Sequence, residues 1–180
     1  VHAAAAVFRR DGVDAPLDSV AVEAGVGRAT LYRHFPDRGA LLAAVLHDRL
    51  TELEAYEAEH GGPGLLEHLV VEMCWYMADM RGLVAALSSV DDEARKAVQA
   101  RCEALLARAL EVAVASGRVR AGTTLSDVLL VAVMAGALMT NPAVTDDDLR
   151  RAMAICFTGL RPGVPVAALP EPELRVDATG

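Results

Sequence analysis

Residues 16–42 read PLDSVAVEAGVGRATLYRHFPDRGALL, and their reading decides the fold. Val20, Ala21 and Ala24 fit one face of a short helix after Asp18, and Gly25 then interrupts the pattern. Gly25 stands where a left-handed residue past a helix end lets the chain turn sharply. A second short helix is expected from Arg28 and a third from around Asp37. Ala21 is small enough for the second helix to cross the first closely, with Val26 and Leu31 as the apolar wedge between them. Together these make a helix-turn-helix, whose second helix can enter a DNA major groove.

The run GVGRATLYRHFPDRGALL resembles the recognition-helix segment of the tetracycline-repressor (TetR) family, above all in Thr30-Leu31-Tyr32-Arg33-His34-Phe35. Phe8 and Gly12 also stand where that family places them, so the resemblance covers roughly the first 50 residues. There are two departures. Gly27 replaces the usual Ser at the helix start, where Gly is also accepted. The family usually has Glu near Gly39, and without it the reciprocal capping box starting at Asp37 is missing.

The rest of the chain bounds what such a head is attached to. The 180 residues carry a net charge of −8 and are 53% hydrophobic, enough for a sizeable core. Overall acidity argues against a nucleic-acid partner, but the charge is unevenly spread. Residues 1–50 balance six arginines against six acids, and the window 26–38 holds Arg28, Arg33 and Arg38 against only Asp37. A local basic patch on an acidic protein fits a DNA reader joined to a separate regulatory body. The three cysteines, Cys74, Cys102 and Cys156, are odd in number and widely spaced, which excludes a disulfide framework and leaves reduced thiols as the expectation. No signal peptide is visible and the longest apolar run, Val128 to Met139, is too short for a bilayer, so no membrane partner and a cytoplasmic location are expected.

Helical periodicity runs throughout, and no alternating pattern is long enough for a sheet; the fold class is all-α. A first helix holds Val7 and Phe8 and ends near Gly12; lacking the basic lead-in of the family, it is expected to be truncated. The third helix of the head merges into a long one carrying Leu41, Leu42, Val45, Leu46, Leu50 and Leu53, stopped by Gly61-Gly62-Pro63-Gly64. Further helices are expected over Leu65–Met80, Leu83–Ser89, Asp91–Gly117, Leu125–Asn141 and Asp146–Leu160. The domain reading is therefore a helix-turn-helix head over 1–50, a helical regulatory and dimerisation body over 51–161, and a loose Pro-rich tail over 162–180.

Candidate sites follow from this frame. Arg28, in the first turn of the second helix-turn-helix helix, stands where a groove-inserted helix meets base edges, with Ala29 beside it. Thr30 offers a methyl and a hydroxyl for a thymine methyl or a phosphate. Arg33 is open between groove and solvent, and Arg38, at the next helix start, can reach a phosphate. The family resemblance implies phosphate contacts from Tyr32 and His34, whereas Leu31 and Phe35 read as core.

Met73, Trp75, Met77 and Met80, with Cys102 as a polar contact, are either ordinary core or the lining of an adaptable ligand pocket. Ala132, Ala135, Gly136 and Met139, with Met153 and Phe157 on the last helix, give a small-residue seam. That seam is either buried within one chain or the meeting face of two copies, and the resemblance implies dimerisation through the last two helices.

Nothing in the motifs supports catalysis, a cofactor or a metal. His34 lacks a nucleophile beside it, and His47, His60 and His68 lack ligand spacing. The expectation is a homodimeric, ligand-responsive transcriptional repressor that binds a near-palindromic double-stranded operator and is released by a small apolar or amphipathic effector. The alternative is a helical ligand-binding or interaction protein that no longer reads DNA.

Overall fold

The computed structural model describes residues 1–164, except 81, 140 and 142. Among them are nine α-helical segments, one 3-10 turn and no strand. The Pro-rich tail lies almost wholly outside the described residues. The helices are α1 (His2–Asp11), α2 (Leu17–Glu23), α3 (Arg28–His34), α4 (Arg38–His60), α5 (Leu65–Asp79), α6 (Leu83–Ala86), α7 (Asp92–Ala115), α8 (Leu125–Met139) and α9 (Asp146–Gly159).

The ends of these helices have local causes. Gly12 leaves α1 at φ 87°, and Gly25 follows α2 at φ 64°, both in the half of backbone space that glycine enters without strain. Asp37 caps α4 by accepting the Ala40 N–H at 2.8 Å, with no carboxylate three residues on to return the bond. Asp91 does the same for α7, accepting from the Glu93 and Ala94 amides. Thr145 and Asp148 close a full reciprocal capping box on α9.

Packing divides the chain into two apolar cores. The first joins Ala4, Val7 and Phe8 of α1, Val20 and Ala21 of α2, Leu31 of α3 and Leu41, Leu42 and Val45 of α4. It is completed from beyond the head by Met80, Leu83 and Val90. The second core lies among the lower half of α4 and α5, α7, α8 and α9, with Leu66, Leu69, Leu105 and Val128 fully buried. α4 runs through both. Ion pairs zip α7 to α4: Arg101 to Glu54 and Arg108 to Glu57, each at 2.6 Å. Arg118 ties the loop after α7 to Glu67 of α5, also at 2.6 Å.

Candidate DNA interface and effector site

α3 is seven residues long and buries only Leu31, so the rest of it is free to face a partner. Leu31 packs with Val20 and Ala21, and Phe35 lies half-buried beside them. Val26 does not share in this wedge. It is 40% exposed, because the turn carries its side chain outward while its N–H donates to the Ala21 carbonyl at 3.0 Å. The short backbone link, not a Val26 side chain, closes the angle between the two helices.

Arg28, Ala29, Tyr32, Arg33 and His34 are exposed on α3 and Thr30 is half-buried. Arg28 is pre-positioned: its Nε lies 3.0 Å from an Asp18 carboxylate oxygen and its guanidinium carbon 5.6 Å from the Tyr32 ring centre. Both contacts are solvent-exposed and worth well under about 1 kcal/mol each, so they orient the arginine without holding it back from a groove.

Arg38, expected to reach a phosphate, also makes a contact inside the protein. Its guanidinium donates to the Val13 carbonyl in the turn between α1 and α2, and the side chain is half-buried. It satisfies a main-chain acceptor and fixes the start of α4 to the α1–α2 turn.

The apolar cluster read as either core or pocket lining is divided between the two cores. Met73 and Trp75 pack against the body core, and the Cys102 thiol lies 3.7 Å from the Met73 sulfur. Met77 packs against the head core, and Met80 is 0% exposed within it. The cause is geometric: α5 crosses from one core to the other, so its last turn serves the head. Trp75 is covered on one side by Arg150 of α9, 5.1 Å from its ring centre. Burial pushes the Cys74 thiol up to about 11 and also raises the Cys102 thiol, so both stay protonated and unreactive at neutral pH.

Two clefts, of about 300 and 230 Å³, lie elsewhere. The larger sits at the α4–α5 turn, where Tyr56 is stacked between His60 and His68 at 4.4 and 4.2 Å. The smaller lies within the head, between α1 and the helix-turn-helix.

The seam residues of α8 and α9 divide between the core and its edge. Ala135 and Met153 are buried inside the chain, and Ala132, Gly136, Met139 and Phe157 are half-buried. The face left open carries Leu130, Val133 and Met134 on α8 and Ile155 on α9. Val133 and Ile155 are 66% and 67% exposed. Leu130, Val133 and Met134, at i, i+3 and i+4, share one face of α8, and exposed large apolar side chains set together this way fit an interaction surface. Periodicity missed them because α8 is apolar nearly all round, so its sequence does not say which face points inward.

Residues 1–45 match the family profile of the bacterial regulatory proteins, tetR family. Residues 64–162 match that of the transcriptional regulator SbtR-like, C-terminal domain. Among solved structures, the chain is similar to a TetR transcriptional regulator from Streptomyces coelicolor, at 26% identity and a TM-score of 0.67, over 90% of this chain and 96% of that one. It is also similar to a TetR transcription regulatory protein from Mycobacterium vanbaalenii, at 29% identity and a TM-score of 0.66, over 89% of this chain and 91% of that one. No curated protein matches the chain.

Proposed function

Since the chain belongs to the tetR family of bacterial regulatory proteins, and is thus a DNA-binding transcription regulator and not an enzyme, we propose that it acts as a homodimeric repressor released by a small apolar or amphipathic effector. The observation that carries this reading is the exposed face of α3, with Arg28 held outward between Asp18 and Tyr32 on a helix that buries only Leu31. Arg28, Ala29, Thr30 and Arg33 are assigned to the groove, Tyr32 and His34 to phosphates. Two such heads, related by a two-fold axis through the Leu130–Val133–Met134 and Ile155 face, would read a near-palindromic operator with half-sites about one helical turn, or a multiple of it, apart.

The effector is assigned to the α5–α7 side of the body, beside Met73, Cys102 and Trp75. Met77 on α5 and Met80 just past its end are its transmission rather than its lining, since both pack in the core of the head. An effector that displaces α5 would repack that core and respace the two heads. It acts only through its different affinity for the two states.

The test is selection of bound sequences from a random DNA pool by the full chain, followed by challenge of the complex with a library of small apolar molecules. A near-palindromic consensus, released by one class of molecule, is the expected result. Binding without sequence preference would overturn the operator reading. No helix among the described residues is long and apolar enough to cross a membrane.

A further inference from the structure

His2, in the first turn of α1, meets Asp48 and Glu52, one turn apart on α4, so that one donor atom from each lies within 4.8 Å of the others. We propose that these three side chains form a divalent-cation site, suited to Zn²⁺, which clasps the start of α1 to α4. The proposal does not depend on the repressor reading.

The donor set is the first argument. One imidazole nitrogen and two carboxylate oxygens from two different elements are a three-ligand set that leaves a fourth position for water. Imidazole favours zinc over the hard cations magnesium and calcium, which take oxygen alone.

Spacing is the second. His2 Nδ1 and Asp48 Oδ2 are 3.5 Å apart. That is longer than the roughly 2.7–3.2 Å of a good hydrogen bond. It is close to the edge, about 3.4 Å, of a tetrahedron whose metal bonds are about 2.0–2.1 Å. Glu52 is exposed on a flexible stem and can close the remaining gap by a rotamer change.

Charge is the third. Glu52 is shared with Arg49 at 2.9 Å, but Arg49 also holds Glu72 at 2.5 Å. When Glu52 turns to a metal, the guanidinium keeps a carboxylate partner. Asp48 and Glu52 stand four residues apart and so present both carboxylates on one face of α4. Sequence spacing did not reveal the set because His2 is distant from both in the chain and meets them only through the packing of α1 on α4.

The experiment is titration of the full chain with zinc in competition with a chromophoric chelator, alongside thermal melts with and without zinc. One zinc per chain is expected. His2→Ala and Asp48→Asn should each weaken it by at least about tenfold, as loss of a ligand or its support does. At one fixed zinc concentration the melting midpoint of the parent should rise more than that of Asp48→Asn, since stabilisation follows the affinity of the folded state. His2 and Glu52 are exposed and Asp48 is only half-buried, so the metal-free variants should melt close to the parent, and this checks their folding. Absence of competition with the chelator would overturn the proposal. So would zinc binding unchanged in Asp48→Asn, which would place the metal on other residues.

Discussion

Gly39 and Ser89 are in main-chain contact: a Cβ on Gly39 would overlap the Ser89 carbonyl oxygen and stand 3.0 Å from its carbonyl carbon and 3.2 Å from the Val90 Cα. The turn after α6 therefore rests directly on the first turn of α4, next to the helix-turn-helix. Only glycine permits this approach. Any side chain at this position would drive the turn off the head.

Gly39→Ala should accordingly destabilise the protein by about 1–3 kcal/mol, the usual cost of forcing a methyl into a filled site. The neighbours are backbone and cannot rotate away. Gly27→Ser is the contrasting substitution. Gly27 caps α3 at φ −69° and ψ 146°, with nothing within 4 Å of a Cβ, and it has no side-chain cap bond to lose. Serine there should stabilise by a few tenths of a kcal/mol. Paired thermal melts check both, and equal midpoints for the two variants would contradict this account of Gly39.

Arg28 and Arg38 should separate cleanly. Arg28→Ala is expected to lose about 1–3 kcal/mol on the preferred operator and to relax base preference, with stability unchanged. Arg38→Ala removes the donor to the Val13 carbonyl and leaves a partly buried acceptor short of its bond, a loss of about 1–3 kcal/mol in stability. If the bond to Val13 is its whole use, its salt dependence of DNA binding should stay that of the parent. Measured slopes of affinity against salt decide the matter; a shallower slope for Arg38→Ala would return this residue to the phosphate backbone.

How much of this was legible in the sequence depends on the kind of signal. Glycines, prolines and caps act locally, so Gly12, Gly25, Asp37, Asp91 and the Gly61–Gly64 run marked helix ends that the structure keeps. Which side chains meet across helices is not local. Nothing in the sequence tells that α5 passes between two cores and parts Met73 from Met80. The sidedness of α8 was hidden for a related reason, since a helix apolar all round has no weak face to point outward. Arg38 looks like any basic residue at a helix start until the Val13 carbonyl is seen beside it.

Val133→Arg should abolish self-association while sparing the fold. Val133 is two-thirds exposed in the single chain, so a guanidinium there meets water in the monomer and apolar surface only in a dimer. Burying an unpaired charge at such a face costs several kcal/mol, enough to dissociate the pair at micromolar concentration. Sedimentation velocity reads the outcome. A variant that still sediments as a dimer would place the interface off α8.

The α4–α7 ion pairs should give stability a dependence on acid. The guanidinium of Arg101, by hydrogen bond and charge, holds the Glu54 carboxyl below its ordinary value despite some desolvation. A lowered folded value means the folded state binds the proton less readily than the unfolded one. The contribution is fully present above the ordinary glutamate value of about 4.3 and is lost as pH falls below it, through the folded value. For a partly exposed pair its size is about 0.2–1 kcal/mol. Glu54→Gln should lower the melting midpoint at neutral pH and flatten its fall between about pH 5 and 3. Parallel curves for parent and variant would mean that this pair adds nothing.

Trp75 is the chain's one tryptophan, and it sits where effector and coupling would meet. Arg150 covers its ring from α9, while two residues on, Met77 enters the packing of the head. An effector settling beside Met73 and Cys102 should change Trp75 emission and so supply its own binding curve. If the effector favours the released state a hundredfold, the coupling is about 2.7 kcal/mol, and linkage requires operator DNA to weaken effector binding by the same factor. The measurement is effector affinity by Trp75 fluorescence with and without saturating operator. Met77→Ala supplies the structural control. It touches neither proposed site but loosens the junction between α5 and the head, so it should move the ratio of the two affinities toward one while leaving the effector affinity without DNA near that of the parent. Identical affinities in the parent, with and without operator, would leave Met73, Cys102 and Trp75 as packing only and sink the transmission through α5.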